Sequence, residues 1–270
     1  MFSFTSDQLQ VLVASLLWPL TRILGLIAAA PLFGNNSVPA RLKIGLGILL
    51  ALTIAPILPP GPAQDPIGFA GLLILVQQFL IGLGLGFAMR IVFATVELAG
   101  ELMGLTMGLG FATLFDPQSQ GRSSAISQFL ALIATMTFLA INGHLLLLAS
   151  LAESFTTLPI SAAPLHGVGF YQIAVWGGKI FSTGVQLSLP IIAALLIINV
   201  SLAILTRAAP QLNIFGIGFP LTLGVGFLLV WLILPYMAVP IENLLRDGFD
   251  KLGAISRALA GLAGGAPGLK

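Results

Sequence analysis

Three ionisable side chains, Arg90, Glu97 and Glu101, stand seven and four residues apart in a chain that is 57% hydrophobic and 7% charged. At about 100° per residue this spacing puts them on one helical stripe. An ionisable group near a bilayer centre is costly, so it faces a bundle interior or a water-filled path. Carboxylates and a guanidinium in such a path are suited to coupling an ion or small molecule, or to forming a polar lining. The residues that follow carry a different pattern. Gly100, Gly104 and Gly108 recur every fourth position, Met103 and Met107 repeat the interval beside them, and Phe111 and Phe115 run up to Asp116-Pro117. Read together, residues 97–122 look like the lining and stopper of a pathway through a membrane assembly. A plainer reading stands beside this one. Glu97 and Glu101 can mark a solvated helix end, the glycines tight helix packing, the methionines core filler, and Asp116-Pro117 an ordinary helix stop.

Enzymatic chemistry finds no support. Gly82, Gly84 and Gly86 lack the strand–helix context of a dinucleotide fingerprint. Gly178-Lys179 is followed by Ile180, so it is not a phosphate loop. No His-Glu-x-x-His or Gly-x-Ser-x-Gly occurs. The two histidines, His144 and His166, have no Cys, His or carboxylate at ligand spacing, and the chain has no cysteine. No cofactor or metal is expected. Asn142-Gly143-His144 reads as a polar group satisfied inside a bundle.

A soluble domain carries about 25% charged residues; this chain, with a mean hydropathy of +1.06, is a polytopic membrane protein. A net charge of +2 from scattered basic residues argues against a nucleic-acid partner. The N-terminus carries Asp7 and no basic stretch, so a removable signal peptide is not expected. Six apolar spans can be drawn, at about 9–33, 42–58, 67–93, 125–151, 185–205 and 214–238. The fifth lies inside a longer apolar segment, 169–206, with Pro190 as an expected kink. Arg22 interrupts the first span and is read, like Arg90, as snorkelling near a span end. After them Ile241, Leu244, Leu245, Phe249, Leu252, Ile255 and Leu259 keep helical spacing among charges, which predicts an amphipathic helix at the interface or on a partner. Basic residues fall almost evenly on the two sides: Arg41, Lys43, Arg90, Arg122 and Arg207 against Arg246, Lys251, Arg257 and Lys270, with Lys179 ambiguous. That tie leaves orientation open and suggests a chain positioned by partner subunits.

Several motifs carry a resemblance. They are RAAPQLNIFGIGFPL at Arg207–Leu221, RILGLIAAAPLFG at Arg22–Gly34 followed by Val38-Pro39-Ala40-Arg41, MGLGFATLFDP at Met107–Pro117, NGH at Asn142–His144, and SFTTLPI at Ser154–Ile160. Together they resemble the FliR family of membrane subunits of the flagellar type III export gate, over about residues 18–240. The resemblance implies an all-α fold in which residues 1–163 are similar to FliP, residues 164–240 are similar to the helical hairpin of FliQ, and 241–270 form the amphipathic helix and a loose tail. It implies one copy joined to FliP and FliQ around a channel for unfolded export substrates, with FlhB at the entrance and FlhA below. The assembly would sit in lipid of the bacterial inner membrane and reach the periplasmic side. The loop matching Met107–Arg122 would enter the channel as a plug through Phe111, Leu114 and Phe115, beside a methionine gasket given by FliP; Met103 and Met107 are read as part of the same constriction, in a pore loop of 103–122. Gly108 and Gly110 would be its hinge, and Asp116 and Pro117 its stop. Leu114 stands where some relatives have a third aromatic. Arg207, Pro210, Gln211 and Asn213 would turn the hairpin. The function implied is noncatalytic; the alternative class is a stand-alone ion or small-molecule transporter using Arg90, Glu97 and Glu101.

Overall fold

The computed structural model describes residues 6–35, 37–58, 62, 64–66, 68–111, 124–209 and 218–262. Seven α-helices and no strand occur among them: α1 (Ser6–Ala29), α2 (Ala40–Ile54), α3 (Phe69–Thr106), α4 (Ala125–Ala140), α5 (Gly143–Thr157), α6 (Gly167–Ala208) and α7 (Phe219–Leu259). Short 3-10 turns follow α2 at Ala55–Ile57 and α3 at Leu109–Phe111. By length and composition four stretches can cross a membrane: Ala40–Ile57, Phe69–Thr106, Gly167–Ala208 and Phe219–Leu259. A fifth is possible if α4 and α5 count as one broken span. The chain is therefore an all-α polytopic membrane protein.

The helices differ from the six expected spans in three places, each for a local reason. The span drawn at 125–151 is two helices. Asn142 adopts φ 57, and its carbonyl accepts from the Leu145 and Leu146 N–H groups to start α5 afresh; a left-handed residue cannot sit inside a right-handed helix. The third span does not end at Phe93: α3 runs 38 residues, through the charged stripe, to Thr106. The amphipathic tail is not a separate surface helix either. It is the end of the 41-residue α7, continuous through Pro235 and Pro240. Its apolar positions Ile241, Leu244, Leu245, Leu252, Ile255 and Leu259 are buried within this chain, with no need of a bilayer surface or a partner to cover them. Pro190, likewise, lies within the unbroken 42-residue α6.

The chain divides into two compact units. The first comprises Met1–Ile91, Asn142–Gly177 and Arg246–Lys270. In it α1 lies directly on α3, because Gly25, Gly82 and Gly86 leave no side chain between the two backbones. Ala14, Trp18 and Ile74 form a buried cluster covered by Leu75 and Ile160. The first turns of α6 meet the last turns of α7 in antiparallel fashion. His166 N–H donates to Leu259 O at 3.1 Å, Gly169 lies against Leu259, and further along Lys251 stands 5.9 Å over the Trp176 ring. The Trp176 indole N–H donates to Ala88 O at 3.0 Å.

The second unit comprises Val92–Ile141 and Gly178–Leu245. Phe93 and Phe138 pack edge to face, with ring centroids 5.7 Å apart. Gly184 of α6 lies against Leu98 and the Thr95 carbonyl of α3.

Candidate functional site

Residues 97–111 of the stretch read as a lining and stopper lie in the second unit, at the end of α3 and in the 3-10 turn after it. Gly100 and Gly104 face α4. A Cβ on Gly100 would collide with Ser127 Cα and stand 2.8 Å from its nitrogen; one on Gly104 would stand 2.8 Å from Ser124 Oγ. The glycine ladder thus serves close helix contact, and that contact lets side chains reach across. Ser127 Oγ donates to Glu97 O at 2.8 Å. Glu101 Oε1 accepts from Ser124 N–H at 2.6 Å, and Ser124 Oγ accepts from Ser127 N–H at 3.2 Å as the cap of α4. An α-helix leaves its first N–H groups without partners. Here a serine side chain and a carboxylate from another helix supply two of them.

α3 stops at Thr106, and Gly108 takes φ 89, a left-handed conformation that glycine adopts freely. The chain leaves α3 there and is back against the same turns of α3 at Ser124. The end of α3 and the start of α4 thus form one clasped base. Glu101→Leu is expected to loosen that base by about 1.5–3 kcal/mol, as for hydrogen bonds to charged groups. Ser124→Ala, which keeps the N–H to Glu101 but loses the cap and the 3.4 Å hydrogen bond from Ser124 Oγ to Gly100 O, should cost about 1 kcal/mol. Thermal melts of the two purified variants test that order.

The other expected site residues fall as follows. Met103 and Met107 are fully buried, and Gly226 of α7 gives Met107 its room, since a Cβ there would lie 2.6 Å from Met107 Cγ. Glu97 and Glu101 are half-buried in the second unit; Arg90 is exposed and belongs to the first. Gly110 lies in the 3-10 turn, half-buried. Phe111 ends that turn, and its side chain lies outside the described residues, as do Leu114, Phe115, Asp116 and Pro117. Arg207 is exposed in the last turn of α6, whereas Pro210, Gln211 and Asn213 fall outside the description.

Arg22 corrects its reading as a snorkelling residue. It is wholly buried in the first unit. Nε donates to Gln78 Oε1 at 2.8 Å, Nη1 to Ser154 O at 2.8 Å and to Ser154 Oγ at 3.1 Å, and Nη2 to Leu158 O at 2.8 Å. The Phe155 ring closes the remaining face at 4.1 Å. The guanidinium thus ties α1 to α3 and closes the C-terminus of α5, where Ser154 O also accepts from the Leu158 N–H and Leu158 O lies past the last helical turn, an end that attracts a cation. Sequence reasoning missed this group of residues, although a signal was present. Gln78 interrupts the apolar run of α3 as Arg22 interrupts that of α1, and two polar residues in apolar helices are natural partners.

The family described as Bacterial export proteins, family 1, matches residues 13–248. The chain is 45% identical to the flagellar biosynthetic protein FliR of Pectobacterium carotovorum subsp. carotovorum over 261 residues, which is 96% of this chain and 99% of that one. It is 43% identical to the protein of the same name from Escherichia coli K12 over 257 residues, 94% of this chain and 97% of that one. Identity to the Bacillus subtilis 168 protein of that name is 32% over 225 residues, 82% and 86% of the two chains.

Proposed function

Since the chain belongs to the FliR family of bacterial export proteins, and so to the flagellar export apparatus, we propose that it is a noncatalytic subunit of the export gate. In this reading it helps to form, and to plug, the channel through which unfolded flagellar proteins leave the cell. Its partners are FliP, FliQ, FlhB and FlhA, and its site is the inner membrane, with the assembled complex reaching the periplasmic side. The part up to residue 163 is FliP-like and 164–240 FliQ-like.

The observation that carries the plug is the clasped base. A loop that leaves and returns at Glu101 and Ser124 can enter a lumen without taking part in the wall. Phe111, Leu114 and Phe115 are its proposed stopper, with Gly108 and Gly110 as hinge and Asp116-Pro117 as the point where helix cannot resume. Met103 and Met107, buried at and just after the end of α3, anchor the hinge through packing. Apolar side chains at a constriction stop ions by dewetting and give way to a passing chain because they form no fixed lock.

Two measurements on one variant test this. Phe111→Ala combined with Phe115→Ala is expected to leave the yield of the complex with FliP and FliQ unchanged and to make resting membranes leaky to ions and small solutes, while export persists. If the phenylalanines are instead core, each truncation costs about 3–5 kcal/mol and the complex is lost. Normal yield without a leak would remove the plug. Co-purification with FliP and FliQ tests the subunit reading itself. A stand-alone transporter using Arg90, Glu97 and Glu101 would work alone in liposomes.

A further inference from the structure

Helix α2 is fully buried by its own chain only at Gly47 and Ala51, the former against Leu20 and Leu24 of α1, with Lys43, Leu50 and Ile54 half-buried on the same side. Leu42, Ile44, Leu46, Ile48, Leu49 and Leu52 are exposed. At about 100° per residue they spread over roughly 200° of the circumference. A helix docking on one protein face carries an apolar stripe backed by polar residues, whereas a helix apolar all round lies in a core or in lipid. The only polar side chain after Lys43 is Thr53, and its hydroxyl donates to Leu49 O at 2.9 Å, so it needs no partner from the surroundings. With its 3-10 turn the segment Ala40–Ile57 has 18 residues. Its length is on the order of 28 Å, close to the ~30 Å of a hydrocarbon core.

Charge sits at one end only. Arg41 is exposed and Lys43 half-buried in the first turn, with no carboxylate between Gly34 and Leu58. Two residues apart, the cations project from opposite sides of the helix. That suits a surrounding layer of anions better than one carboxylate on a protein partner. We propose that α2 is a lipid-exposed span and that Arg41 and Lys43 bind the headgroups of anionic phospholipids. This goes beyond the export-gate reading and does not depend on the plug.

The chain has no cysteine, so each probe is the chain's single cysteine, and label on co-purifying subunits is subtracted with the unaltered chain. The test uses the full chain with the subunits that co-purify with it, in bilayers of equal phosphatidylcholine and phosphatidylglycerol with one or the other brominated. Bimane at Leu49→Cys or Leu52→Cys should be quenched in both, and Arg41→Gln with Lys43→Gln should leave that quenching unchanged. At Leu42→Cys, quenching by brominated phosphatidylglycerol should exceed that by phosphatidylcholine at least about twofold. The excess should vanish in the double variant. Probes at Leu49 and Leu52 that stay bright would show α2 covered by protein and overturn the span. Equal quenching at Leu42 in the unaltered chain, or an excess that survives the double variant, would overturn the headgroup site.

Discussion

Replacing Arg22 with leucine is expected to remove the folded chain from the membrane. The change leaves Gln78 Oε1 and Leu158 O buried without the donors they now have, and removes the cation that closes α5. Each buried acceptor left unsatisfied costs about 1–3 kcal/mol, so losing two or more takes a large share of a total stability of about 5–15 kcal/mol. Arg22→Lys should rescue only part of this. An ammonium cannot reach Gln78, Ser154 and Leu158 in one plane, nor lie flat on Phe155 as the guanidinium does. Gln78→Leu is the milder test from the other side, because it removes one of the four hydrogen bonds and leaves three. The expected order of loss, in membrane accumulation after a pulse of synthesis and in the melting of purified protein, is Arg22→Leu, then Arg22→Lys, then Gln78→Leu. An Arg22→Leu protein that accumulates and melts like the unaltered chain would show that the network contributes nothing to the fold.

What could be read from the residues, and what could not, divides along physical lines. Apolar content and helical spacing state the membrane class directly, since no other solvent tolerates that composition. Ser123 and Ser124 both follow a glycine and proline break, which is where a helix starts, and Ser124 is the one that caps α4. Helix ends inside apolar runs were not. Nothing in hydropathy distinguishes the break at Asn142 from the uninterrupted passage through Pro190, Pro235 and Pro240; the difference lies in the φ of one asparagine. The tail beyond Ile241 shows a true amphipathic pattern, but such a pattern states only that one face is covered. Here α7 is covered within its own chain. Arg22 was misread for a related reason. Snorkelling is a rule about distance from a span end, whereas its partners come from residues 56 to 136 positions away.

The same long-range contacts make Gly82 the second position of large expected effect. Gly82, Gly84 and Gly86 look alike in sequence, and in a helix each glycine costs roughly 1 kcal/mol relative to alanine. Propensity alone would make Gly→Ala stabilising at all three. The structure separates them. A Cβ on Gly82 would run into the Arg22 carbonyl oxygen and stand 2.8 Å from Arg22 C and 2.9 Å from Leu26 N; one on Gly86 would stand 2.7 Å from Leu26 O and 2.8 Å from Ala30 N. Both neighbours are backbone and cannot rotate aside, so α1 must back away from α3. Overpacking of this kind typically costs 1–3 kcal/mol. At Gly82 it also pulls Arg22 off Gln78, whose bond is 2.8 Å long, and adds part of the network's loss. Gly84 points elsewhere: its Cβ would meet only the Ile173 Cδ1 methyl at 3.1 Å, the free end of a flexible side chain. Gly82→Ala should therefore destabilise by more than about 3 kcal/mol, enough to deplete the protein from membranes. Gly84→Ala should be neutral or gain up to about 1 kcal/mol. The measurement is a paired comparison of the two variants in membrane abundance and thermal melting. Equal behaviour of the two would show that α1 and α3 do not meet as closely as these glycines allow.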